Sequence, residues 1–248
     1  MGTVAAVLSG KGGTGKTSVC AGLAVSLAAA GQKVLCLDLD MGLRNLDIAL
    51  GMSQTPALPF TEVCAGSASL SDAARHPDYP ELRFLTAPVG RDFETLDKGT
   101  FLALIQEARQ AFDFCFLDVP AGVGAGFRLA AQAASRQILV TGPDPAALRD
   151  GARTGELLEL MGKAEVRLVV NRVQPKLYAA MGMTVDDVMD MVGYPLLGLV
   201  PEDRNVTLAA VHGRALVQFE KGGAAAACRR MARRLMGEPV PLGKLRNL

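Results

Sequence analysis

Gly10-Lys11-Gly12-Gly13-Thr14-Gly15-Lys16-Thr17 is the stretch on which the reading of this chain turns. It follows an apolar run at residues 4–8 and opens onto an Ala- and Leu-rich stretch of helical character at 18–30. A glycine, four residues, a glycine, a lysine and a hydroxyl residue is the spacing of a loop that cradles phosphates. Glycines let the backbone turn tightly and aim its N–H groups inward, forming an anion nest at a helix N-terminus. In such a loop Lys16 reaches the outer phosphates and the Thr17 hydroxyl ligates Mg2+.

A second pattern fits the same letters. Gly10, Gly12 and Gly15 satisfy G-x-G-x-x-G, with Asp38 roughly where the ribose-binding acid of a dinucleotide fold sits. Lys16 and Thr17, straight after the last glycine, argue against it, because a pyrophosphate cradle needs neither. A glycine-rich turn with no ligand leaves Lys11 and Lys16 crowded on one loop without a reason.

The 248 residues are half hydrophobic, enough for a sizeable core, and the formal net charge of +1 gives no global pull toward nucleic acid or membrane. Cys20, Cys36, Cys64, Cys115 and Cys228 are scattered with no C-x-x-C spacing, which suits free thiols in a reducing cytosol. No run of about 20 apolar residues is present to form a transmembrane helix. The expected location is therefore the cytoplasm. His76 and His212 are isolated, and packing or surface roles are expected of them.

Apolar runs at 4–8, 34–39, 82–85, 112–117, 137–140, 166–170 and 196–200 alternate with helical patterns at 18–30, 96–111, 127–134, 146–161, 185–192 and 224–236. Continuous apolar strands separated by helices predict an α/β fold, a mostly parallel sheet covered on both faces, with its site at the C-terminal strand ends. No internal repeat or composition break divides the chain, so one domain is expected over 1–248. The least regular part, 53–80, reads as an excursion within it.

Leu37-Asp38-Leu39-Asp40 and Phe116-Leu117-Asp118 end two apolar runs in carboxylates. Beside a triphosphate, such acids hold Mg2+ or orient the attacking water. A plainer reading is that one of the first pair caps the following turn. Pro120-Ala121-Gly122, with Gly124 and Gly126, predicts a mobile turn able to order around a γ-phosphate.

These segments together resemble the ParA/MinD ATPases. Residues 10–17 resemble that family's deviant phosphate loop, marked by the early lysine, Lys11. Asp40-Met41-Gly42-Leu43-Arg44-Asn45-Leu46-Asp47 resembles the switch I region of its cell-division site-selection branch. Asp118-Val119-Pro120-Ala121-Gly122 resembles its Walker B segment and switch II turn. Val169-Val170-Asn171-Arg172 and Val200-Pro201-Glu202-Asp203 resemble its adenine-side segments.

The resemblance implies an Mg-ATP-dependent ATPase that forms a homodimer face to face with ATP between the subunits. Gly10, Lys11, Gly12, Gly13, Thr14, Gly15, Lys16, Thr17 and Ser18 would bind ATP. Lys11 would reach the partner's phosphates, Lys16 the β- and γ-phosphates, and Asp40 the water. Thr17, Asp38 and Asp118 would surround the metal. Asn171 would read the adenine edge, with Arg172, Pro201 and Glu202 beside the nucleotide. A division inhibitor, an ATPase activator and reversible attachment to the inner face of the cell membrane are implied as partners. The alternative within the same superfamily is a ParA-type DNA-partitioning or flagellar-placement ATPase, and the 44–47 segment favours the division branch over DNA. An iron-protein reading would need cysteines near switch II, where only Cys115 lies close.

The chain departs from the family at its end. Glu238-Pro239-Val240-Pro241 breaks the last helix, and the short tail at 237–248 has no aromatic anchor, which predicts weak membrane affinity from one copy. Two tails in a dimer would raise avidity. Before it, Cys228, Met231, Ala232 and Leu235 share one helical face and Arg229, Arg230, Arg233 and Arg234 the other. Core packing is expected of the first face, and solvation, or contact with anionic lipid or DNA, of the second.

Overall fold

The structure is a computed structural model describing residues 1–90 and 93–242. The chain runs β1 (Thr3–Leu8), α1 (Lys16–Ala29), β2 (Val34–Asp38), α2 (Leu46–Leu50), α3 (Phe60–Cys64), β3 (Ala74–Arg75) and β4 (Leu82–Leu85). It continues through α4 (Lys98–Ala111), β5 (Phe114–Asp118), α5 (Ala125–Ala133), β6 (Arg136–Thr141) and α6 (Pro145–Leu160). The last part is β7 (Val166–Val173), α7 (Pro175–Met181), α8 (Val185–Val192), β8 (Leu196–Pro201), α9 (Asn205–Val211), α10 (Leu216–Phe219) and α11 (Gly223–Leu235).

The strands form one eight-stranded sheet in the order β3-β4-β2-β5-β1-β6-β7-β8. Every pairing is parallel except β3 with β4. Alternation along each strand feeds two cores. Val4, Ala6 and Leu8 of β1, with Leu35 and Leu37 of β2, pack into one. Ala5 and Val7, with Val34 and Cys36, pack into the other. Both faces are apolar because both are covered, as a parallel sheet requires.

α1 and α11 pack closely on the second face. A Cβ at Gly22 would come within 2.4 Å of Cys228 Sγ, so the glycine is the notch that lets these helices approach. The apolar side of α11, Cys228, Met231, Ala232 and Leu235, is buried as expected. Its basic side is largely committed to the fold. Arg229 donates to the carbonyls of Val217 and Glu220, Arg233 pairs with Glu238, and Arg234 donates to those of Leu197 and Val240.

The excursion at 53–80 is more ordered than its prolines suggest: it contains α3 and the antiparallel edge strand β3. His76 fastens it. Its Nδ1 accepts from the N–H groups of Asp78 and Tyr79, so its Nε2 carries the proton and donates to Leu50 O at 2.9 Å. The expected tail at 237–248 falls outside the described residues from 243 onward. No helix of the described residues is long and apolar enough to cross a membrane.

Candidate active site

β1, β2 and β5 are neighbours in the sheet, and the loops that carry the chemistry leave their C-terminal ends side by side. Gly13 and Gly15 take φ of 80° and 79°, the left-handed region where only glycine is unstrained. Gly10 lies against α6, where a Cβ would meet the Asp150 carbonyl at 2.7 Å. α1 begins at Lys16 with no side-chain cap, so its first N–H groups are left to the loop's concavity. The Thr14 hydroxyl is buried and, among the described residues, has no hydrogen-bond partner. Open donors, a buried unpaired hydroxyl and glycines where side chains would clash suit a phosphate chain.

Lys16, only 7% exposed, and Asp118, only 1%, meet at 2.6 Å from Nζ to Oδ1. Thr17 Oγ1 donates to Asp118 Oδ2 at 2.7 Å. Burial pushes the Asp118 carboxyl up, while the Lys16 ammonium and the two hydrogen bonds pull it back. Asp38 stands beside Asp118 in the β2–β5 register. Burial, then the charge of Asp118, raises its carboxyl to about 7, against hydrogen bonds that favour ionisation. Those come from the N–H of Asp40 at 2.8 Å and of Leu46 at 3.2 Å. Thr17, Asp38 and Asp118 thus share one corner. They do not form an all-protein cage: no group of three or more His, Cys, Asp or Glu among the described residues is placed to hold a metal. A hydroxyl and one or two carboxylates beside a phosphate cradle is the donor set Mg2+ takes when phosphates and water complete its shell.

Asp40 lies past the end of β2 rather than on it. Its Oδ1 accepts from the N–H of Gly42 and of Leu43, both at 3.1 Å, so the turn-capping reading holds for it. It also lines the chamber over the phosphate loop. Arg44 turns this segment with φ of 50° and donates from Nε to Thr86 Oγ1 at 3.2 Å. On the switch II side Gly122, φ 90°, donates to the Ser9 carbonyl at 3.2 Å, tying that turn to the residue just before the loop.

Two cavities meet at the loop. One of about 490 Å3 runs from residues 11–18 past Asp40 toward α2 and α9. The other, about 300 Å3, is lined by Ser18, Asn171, Arg172, Pro201 and Glu202. Sequence reasoning brings these adenine-side residues to one place, but Asn171 has a further task. Its Nδ2 donates to the Thr14 carbonyl at 2.8 Å, bracing the phosphate loop from beneath. Arg172, at φ of 60°, pairs with Glu202 at 2.7 Å.

Lys11, unlike Lys16, is not drawn to Asp118. Its Nζ lies 3.4 Å from Asp144, which caps α6 by accepting from the Ala147 N–H at 3.0 Å. That hydrogen bond, and then Lys11, hold the Asp144 carboxyl below its ordinary value. Asp144 is absent from the sequence reading, although Asp144-Pro145 is an N-cap followed by a first-turn proline. The walls supplied by α9 have no sequence signal.

Residues 5–217 match the family model of the CobQ/CobB/MinD/ParA nucleotide binding domain. The chain belongs to that family. It is 35% identical over 244 residues to the septum site-determining protein MinD of Synechocystis, covering 97% of this chain and 92% of that one. The MinC:MinD cell division protein complex of Aquifex aeolicus superposes with a TM-score of 0.90 at 31% identity, covering 98% of each chain. MinD of Pyrococcus horikoshii complexed with Mg-ADP gives 0.81 at 28% identity, covering 95% of this chain and 96% of that one. The expected fold, ATPase class, ATP and Mg2+ all agree with these relatives.

Proposed function

We propose that the chain is a MinD-type ATPase of septum-site selection in which Mg-ATP closes two copies face to face and hydrolysis releases them. The observation carrying this reading is Lys11: it belongs to the phosphate loop, yet its side chain is 40% exposed and meets only Asp144 among the described residues, which leaves it accessible to a second subunit's phosphates. The proposal takes residues 1–248 as one ATPase domain and 237–248 as its tail.

The placements support a role for each residue. The loop N–H groups and Thr14 hold the phosphate chain, and Lys16 exchanges Asp118 for the β- and γ-phosphates. Thr17 and Asp118, with Asp38 behind them, would hold Mg2+, which when bound would neutralise charge on the phosphate oxygens. Asp40 orients the water. The water's oxygen would bond to the γ-phosphorus while the bond to the β–γ bridging oxygen breaks, its electron pair staying on ADP; one water proton passes to solvent, the other stays on the phosphate, and ADP and phosphate leave. Lys11 of the other copy stabilises the negative charge spread over the transferred group. Asn171 keeps the loop in shape and leaves its Oδ1 for the adenine amine, with Arg172, Pro201 and Glu202 around the base.

The Aquifex MinC:MinD complex supports a division-inhibitor partner of the MinC kind. By the same family logic an ATPase activator and reversible peripheral attachment to the membrane's inner face belong to the proposal. The DNA-partitioning alternative is less supported, because arginines 229, 233 and 234 are occupied within the fold. Lys11→Ala tests the central role. ATP binding by the monomer is expected to survive while ATP-dependent dimers or hydrolysis are lost. A variant that dimerises and turns over like the wild type defeats the cross-subunit assignment.

A further inference from the structure

The ATPase site makes no use of the strand pair at the sheet's edge. Arg75 of β3 and Arg83 of β4 stand directly opposite each other in the antiparallel register. Like charges in that position repel and weaken the pair. Arg83 is half-buried, and its Nη1 donates to the carbonyls of Ala73 at 2.8 Å and Ser71 at 3.2 Å. Burial, then the Arg75 charge, holds its guanidinium below the ordinary value, against a smaller opposing pull from Glu81. Arg75 and Lys33 are exposed.

All three cations line one cavity of about 390 Å3, together with Ser69 and Ser71. Glu81 and Glu107 line it too. Among the described residues, however, none of the three cations has a carboxylate within the 4.0 Å of an ion pair. The Nε and Nη2 of Arg83 and the whole fork of Arg75 have no hydrogen-bond partner there either. Lys33 directly precedes β2 and Phe112 lies just before β5, so the cavity sits at the N-terminal ends of strands whose other ends carry Asp38 and Asp118.

Two guanidinium forks with open donors, an ammonium and hydroxyls around one cavity match the several oxygens and multiple charge of a phosphate. An anion between Arg75 and Arg83 also removes the repulsion that the bare pair carries. We infer that this cavity binds a phosphate-bearing anion, either a phosphomonoester headgroup or a free pyrophosphate-type group, at the end of the sheet remote from the ATP site.

The test is calorimetric titration of pyrophosphate into the full chain saturated with ADP and excess Mg2+, so that the phosphate loop is already filled. One additional site is expected, weakened about tenfold or more in Arg75→Gln and in Lys33→Gln. Among the described residues neither side chain has a hydrogen-bonded or ionic partner, so both variants are expected to keep the fold. The rise in melting temperature on adding pyrophosphate supplies a readout that a structural role alone does not produce. Without anion, Arg75→Gln is expected to melt above the wild type, and pyrophosphate raises the wild-type melting temperature more than the variant's. Sedimentation with phosphatidate vesicles separates the sources. Binding that Arg75→Gln removes assigns a lipid headgroup, and pyrophosphate binding alone assigns a soluble anion. No site beyond the filled loop, or one indifferent to Arg75, overturns the inference.

Discussion

Lys16 sets a buried ammonium against a buried carboxylate at 2.6 Å. Desolvation makes such a pair weak evidence for stability, but removing one member strands the other, at a cost of about 3–5 kcal/mol. Lys16→Ala is therefore expected to abolish ATP turnover and to lower the melting temperature; unchanged turnover in a steady-state assay would sink the phosphate-loop assignment. His76 gives a prediction about pH. Burial holds its imidazole below the ordinary value of 6.5, and both ring nitrogens are engaged in the neutral form. The unfolded chain thus takes up the proton more readily, so stability falls as pH drops below about 6.5. Chemical denaturation at pH 7.5 and pH 5.5 is expected to show a larger loss for wild type than for His76→Gln; equal losses contradict the assignment. At this scale residues 10–17 and the acids at 38 and 118 are legible in the sequence, because local spacing encodes them. The Asn171 brace and the Lys11–Asp144 pair are not, because they join residues 157 and 133 positions apart.

At the scale of elements, the switch I segment is held at both ends and bowed between them. Asp38 grips it through the N–H groups of Asp40 and Leu46, and His76 holds the Leu50 carbonyl at the end of α2. Between them Asp40 caps the turn at Gly42 and Leu43 and Arg44 reaches Thr86, while the Leu43 side chain is left exposed. The long helices and all the parallel strands are legible, since unbroken apolar runs and helical periods mark them. β3, two residues long, and helices such as α2 and α10 are too short to show a period, so tertiary contacts alone define them. The Gly22 notch is equally silent in sequence, because its reason lies on α11. Gly22→Ala is expected to destabilise the fold by about 1–3 kcal/mol through overpacking against Cys228. Urea denaturation measures it, and a neutral result would mean that α1 and α11 separate without cost.

For the whole molecule, one doubly covered sheet carries the phosphate loop and the two segments that follow β2 and β5 to a common edge, where Lys11 stays partly exposed. In the proposed mechanism a lone subunit binds nucleotide with what it has, and a second copy completes the charge around the transferred phosphate. The most direct test is sedimentation velocity of Asp40→Ala, which is expected to bind Mg-ATP but hydrolyse it slowly, in Mg-ATP and in Mg-ADP. The account predicts dimers with ATP, monomers with ADP, and monomers under both conditions once Lys11→Ala is added. Monomers of Asp40→Ala at saturating Mg-ATP would contradict it.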